Sequence, residues 1–165
     1  MKRFALFSTF VALLALAAPS LALAKGPTRE PLVYPPEGFL IPAGFACEFD
    51  LQVDFLVNRE ITKTWSDAEG DPIRSLVTGS LVARLTNVDA DRSIVVNIGG
   101  PSWFHYNADG TISQVFLGRS SPLFEGVFYL SVGRHDFLLD GNLALIAAGS
   151  KSGRSIDICA MLSPA

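Results

Sequence analysis

The side chains whose types and spacing could do chemistry are few: His105 and His135, Cys47 and Cys159, and a ring-bearing run, Trp103-Phe104-His105-Tyr106. A zinc centre takes three or four N, S or O ligands at recognisable spacing. Two histidines with no His-x-His cluster fall short of that, so they read as unrelated, His105 among aromatic neighbours and His135 in a turn. Asp89-Ala90-Asp91 and Asn107-Ala108-Asp109-Gly110-Thr111 place oxygens on alternate residues, as calcium loops do. Calcium needs six to eight oxygens, and the closing Glu is missing. Asp and Asn at such places more commonly bond their own backbone in turns. The chain contains no Gly-x-Ser-x-Gly elbow, no His-Glu-x-x-His and no phosphate-cradling glycine loop. No catalytic residue, metal or cofactor is therefore assigned.

The aromatic run is the one suggestive binding feature. On a strand, successive side chains alternate faces, so two of the four rings must point each way. One pair can enter a core, while the other is left for a neighbouring loop or for a ligand. Exposed aromatic faces are platforms for sugars and apolar molecules. Trp103, Phe104, His105 and Tyr106 are thus the candidate ligand-binding residues, with carbohydrate or a small apolar molecule as candidate partner.

Around these residues the pattern is that of strands. Apolar residues occupy alternate positions over 45–57, a period of two. Further strands are expected over 61–65, 73–86 (with Gly79 a bend) and 93–98, and a hairpin joins 103–106 to 111–117 across Asn107-Ala108-Asp109-Gly110. Strands over 126–132, 137–139, 143–148 and 155–162 follow, with turns at Gly133-Arg134-His135 and at 149–153. About nine short strands, turn signals every 8–12 residues or so and no convincing helix fit an all-β, single-domain antiparallel β-sandwich or jelly roll. A closed β-barrel is the alternative, and an apolar fraction of 49% would suit its interior.

Lys2 and Arg3, an apolar run from Phe4 to Leu16 and Ala22-Leu23-Ala24 have the order of a cleaved secretory signal. The apolar part is shorter than the roughly 20 residues a membrane span needs. The expected organisation is a signal peptide at 1–24, a Pro-rich extended lead-in at 25–43 and a β domain at 44–165. Position 25 is Lys, so no lipid anchor is expected at the cut. The whole chain has 13 basic and 16 acidic residues; without Lys2 and Arg3, 11 remain against 16, a net charge of −5. That balance argues against nucleic acid, whose binding needs a basic patch. In an oxidising, extracellular compartment the even pair Cys47 and Cys159 reads as one disulfide.

The stretch Leu85-Thr86-Asn87 through Asp91-Arg92-Ser93-Ile94-Val95-Val96-Asn97-Ile98-Gly99-Gly100-Pro101, with Cys47-Glu48-Phe49 before it and Asp109-Gly110 and Gly118 after it, resembles the uncharacterised small secreted β-domain proteins of actinobacteria. Gly99 stands where those proteins usually have Ser. The resemblance implies export and a β fold, and it transfers no catalytic residue.

Three functions remain open from the sequence: a secreted β domain with a non-catalytic binding or surface role, a small secreted polysaccharide-acting enzyme, and a β-barrel carrier of a small apolar ligand. Two carboxylates facing each other in a groove would favour the enzyme. A continuous interior pocket would favour the carrier.

Overall fold

Alternation and turn chemistry produce thirteen strands, not nine, in a computed structural model that describes residues 26–124 and 127–164. The expected signal peptide, 1–24, lies outside the described residues. In chain order the strands begin with β1 (Thr28–Pro31), β2 (Phe39–Ile41), β3 (Leu51–Asn58), β4 (Ile61–Ser66) and β5 (Pro72–Thr78). Next come β6 (Leu81–Asn87), β7 (Arg92–Asn97), β8 (Ser102–Tyr106) and β9 (Ile112–Ser120). The last are β10 (Leu123–Phe124), β11 (Val127–Phe128), β12 (Leu130–Leu139) and β13 (Leu145–Ile156), before a short helix, α1 (Ile158–Leu162).

The strands form a seven-stranded sheet, β1-β4-β5-β8-β9-β12-β13, a four-stranded sheet, β2-β3-β6-β7, and the small hairpin β10-β11. Among the described residues every pairing is antiparallel, and no sheet closes into a barrel. The protein is an all-β sandwich; the closed-barrel alternative does not hold.

The chain crosses between the sheets at Gly79. The expected long strand 73–86 is two strands, β5 in the large sheet and β6 in the small one. Gly79 has φ +146, and a Cβ there would lie 2.2 Å from the Arg59 carbonyl oxygen. Only glycine permits that close passage of two backbones.

Three other expectations change. The alternation over 45–50 is not a strand: Asp50 Oδ1 accepts the Ala43 amide at 2.8 Å and Gly44 takes φ +90, which folds 42–50 into turns. Gly133-Arg134-His135 and 149–153 are not turns but parts of β12 and β13. Gly133 and Gly153 face each other in the ladder, where a Cβ on Gly133 would lie 2.1 Å from Ser152 O. The turn-forming glycines serve close strand approach instead. Finally, the last strand stops at Ile156, and 158–162 is helical. Asp157 caps that helix, its carboxylate accepting the Ala160 amide at 3.0 Å. Ile158 and Leu162, one turn apart, are fully buried and close one end of the core.

The Pro-rich segment is not merely a lead-in. It supplies β1, paired with β4, and β2, paired with β3. The main core lies against the inner face of the small sheet, around Leu51, Val53, Ala83, Leu85 and Ile158. A second cluster, Ile112, Phe137 and Leu139, sits on the large sheet. Cys47 and Cys159 are bonded, with Cα atoms 5.5 Å apart, so the loop before β3 is stapled to α1. Among the described residues no helix is long and apolar enough to cross a membrane.

Candidate functional site

The inner faces of the two sheets meet imperfectly, and a cavity of about 270 Å³ lies between them. The small sheet contributes Phe39, Val53, Phe55, Leu81 and Leu85 to its walls. From the large sheet come Val77, Ser102, Phe104, Gln114 and Phe116, while Leu123 and Phe128 of the β10-β11 hairpin close one side. Each of these follows from strand alternation. Val53 pairs with Phe39 on one side and Leu85 on the other, and Phe104 pairs with Gln114, so each row shares one face.

The lining is apolar apart from Ser121, whose buried Oγ has no hydrogen-bond partner among the described residues, and two further places. Gln114 and Ser102 are buried and bonded to each other, with Nε2 of Gln114 donating to Ser102 Oγ at 3.2 Å. At the other, Glu60 is only 5% exposed, and the Tyr34 hydroxyl donates to its Oε2 at 3.2 Å. The Tyr34 ring stacks on Phe55 with centroids 4.2 Å apart. The Glu60 backbone is held on both sides: its amide donates to Asn58 Oδ1 at 3.1 Å, and its carbonyl accepts the Leu32 amide at 3.0 Å. Burial raises the pKa of Glu60 above its ordinary value, and the Tyr34 hydrogen bond offsets part of that rise. Burial and the neighbouring carboxylate likewise push the Tyr34 hydroxyl well above its usual value.

The sign of the pH effect follows. A carboxyl group whose folded pKa is raised binds its proton more tightly in the folded state than in the unfolded one. Its stabilising contribution is complete below about pH 4.5, the unfolded value, and is lost as pH rises through the folded value. Glu60→Gln removes this loss. Urea midpoints measured from pH 4 to pH 7 should therefore fall for the wild type relative to the variant over that window. Parallel curves would show that Glu60 titrates as it does in the unfolded chain.

The aromatic run divides between two faces. Phe104 and Tyr106 point inward: Phe104 lines the cavity, and the Tyr106 hydroxyl lies 3.3 Å from Ser75 Oγ. Trp103 and His105 point outward, where Trp103 stacks on Trp65 of β4 at 5.7 Å and on His105 at 6.3 Å. The Arg74 guanidinium covers this outer strip, 4.6 Å from the Trp65 ring centre and 5.8 Å from that of Trp103. Trp65 and Trp103 are each partly buried, so the strip is a cation–π stack on a sheet face rather than an open ring platform.

His135 is buried in β12, not placed in a turn, with Nδ1 3.0 Å from the Tyr129 hydroxyl. Burial, then the Lys151 charge, lowers its pKa. His105 lies on the opposite face of the large sheet, so the two histidines are not brought together. The Asp- and Asn-rich loops are turns. Asn87 Oδ1 accepts the amides of Asp89 and Ala90 at 3.0 and 3.1 Å, and Asp109 Oδ1 accepts from both the amide and the hydroxyl of Thr111.

Tyr34, Glu60, Phe55 and Gln114 are site residues that sequence reasoning missed. Gln114 had a readable signal, an amide among apolar alternating positions. Glu60 had none, because an acid beside Arg59 at a strand end reads as a solvated turn. Comparison with protein families, with characterised proteins and with solved structures finds no match to this chain.

Proposed function

We propose that this chain is an exported, non-catalytic binding domain that holds a small apolar ligand between its sheets. The observation that carries the reading is the inter-sheet cavity, apolar on most of its wall and polar at three defined points: Glu60 with Tyr34, Gln114 with Ser102, and Ser121. Concave, largely apolar sites with a few placed polar groups are the usual form of small-molecule sites. The wall holds one carboxylate, Glu60, and not the facing pair that glycoside hydrolysis uses. The sandwich thus takes the carrier role first considered for a barrel.

Binding is tested by calorimetric titration with ethylbenzene, an uncharged single-ring probe. Val77→Phe puts a bulky ring in place of a small branched side chain in the cavity wall and should weaken binding about tenfold or more, equivalent to roughly 1.4 kcal/mol. Trp103→Ala, on the outer face, should leave affinity within about twofold. The opposite ranking would move the site to the outer aromatic strip.

Export is supported by the charged start, the apolar run, Ala22-Leu23-Ala24 and a disulfide that persists in oxidising compartments. N-terminal sequencing of protein recovered from the medium should begin at Lys25. A start within residues 1–18 would contradict the assignment.

A further inference from the structure

We propose that Glu60 and Tyr34 form a cation-receiving end of the cavity, and that its ligand is a small lipophilic amine bound as the ammonium ion. This rests on the cavity being a ligand site and names the chemistry of what enters it. Three features of the wall support it.

Glu60 is, among the described residues, a buried acid without a basic partner. Among the described residues the one ion pair is Arg134–Asp136, on the exposed face of β12, and no Lys, Arg or His lies within 4.0 Å of the Glu60 carboxylate. A carboxylate removed from water is costly unless it is paired and hydrogen-bonded. Tyr34 supplies one hydrogen bond and no charge. An incoming ammonium supplies both what water no longer provides and the missing countercharge.

The aromatic rings are placed to assist. Phe55 stacks against Tyr34 at 4.2 Å and lies 5.8 Å from Phe39, so three rings stand at the Glu60 end. Ring faces attract a desolvated cation. An anionic ligand would meet the carboxylate with no cation to balance it.

Size sets the rest. The volume of about 270 Å³ lies just under the lower bound of drug-sized pockets, which fits an amine carrying one ring or a short chain. Protons balance simply. The amine arrives already protonated, as a lysine-like group is at neutral pH. Glu60 is then held as the carboxylate opposite the ammonium, and any proton it still carries at the working pH passes to solvent. Among the described residues Tyr34 is the only other titratable group on the cavity wall, and its hydroxyl stays neutral throughout.

The test compares 2-phenylethylamine, 2-phenylethanol and ethylbenzene by calorimetry at neutral pH, on the wild type and on Glu60→Gln. The amine should bind the wild type at least about tenfold more tightly than the alcohol. In Glu60→Gln that preference should shrink to within about twofold, while the alcohol keeps its affinity and so reports an intact cavity. On the wild type alone, amine affinity should climb as pH rises from 4.5 while alcohol affinity stays level. Equal binding of amine and alcohol, a preference that survives Glu60→Gln, or pH profiles that run parallel would each overturn the cation assignment and leave the cavity an apolar site. Failure of all three compounds to bind would overturn the cavity reading as well.

Discussion

Replacing Cys47 and Cys159 together, by serine and alanine, is expected to lower the unfolding free energy by about 4–5 kcal/mol. The bridge spans 112 residues, most of the folded chain, leaving β1 and β2 outside its loop. Closing so long a loop removes much of the freedom of the unfolded chain; the chain-entropy relation gives about 4.7 kcal/mol for a loop of roughly 100 residues. A domain of ordinary stability has about 5–15 kcal/mol in total, so the loss would bring this one close to its unfolding limit. The folded state contributes too. The bridge holds α1 over the core end, where Asn87 Nδ2 donates to the Leu162 carbonyl at 3.2 Å and Arg92 to that of Ser163 at 2.7 Å. Guanidinium unfolding of oxidised wild type and of the double variant checks this. A loss below about 1 kcal/mol would mean that helix docking alone constrains the terminus.

Phe137→Ala should cost about 3–5 kcal/mol, the range for deleting a buried aromatic ring. Phe137 is 4% exposed on the inner face of β12. Its ring meets Phe116 edge-on at 5.9 Å and Phe124 at 5.1 Å, so it joins the large sheet to the β10-β11 hairpin. Removing it leaves a void that neither neighbour fills without moving a strand. Tyr106→Ala is the control: Tyr106 is 37% exposed and should cost much less. Urea unfolding of the two variants side by side measures the difference, and similar losses would contradict the placement of the second core cluster.

Much of this architecture could be read from residue order because a strand with one wet face writes itself as alternation. Residues 51–57 and the hairpin around Asn107-Ala108-Asp109-Gly110 are of that kind, and both appear as strands where alternation places them. Cys47 and Cys159 could be paired because only two cysteines exist. Failures have a common cause, in that one local signal serves two structures. Gly133, Gly149 and Gly153 read as turn residues, yet here they let β12 and β13 approach closely. Phe45, Cys47 and Phe49 alternate as a strand does, but Pro42, Gly44 and the Asp50 bond to Ala43 fold them into turns. Ile156 and Ile158 continue an apparent alternation, while Asp157 and the spacing of Ile158 to Leu162 carry the helix. The cavity was invisible for another reason. It depends on how two sheets face each other, and the carboxylate that marks it reaches the cavity from the short link between β3 and β4.

The space between the sheets is the centre of the account, and a crystal structure of the chain from Lys25 onward, soaked with ethylbenzene, tests it most directly. The account predicts electron density for the ring between Phe55 of β3 and Phe104 and Phe116 of β8 and β9, with both sheets in place. Sheets closed on each other with no room for the ring, or the ring found against Trp65 and Trp103 on the outer face, would contradict it.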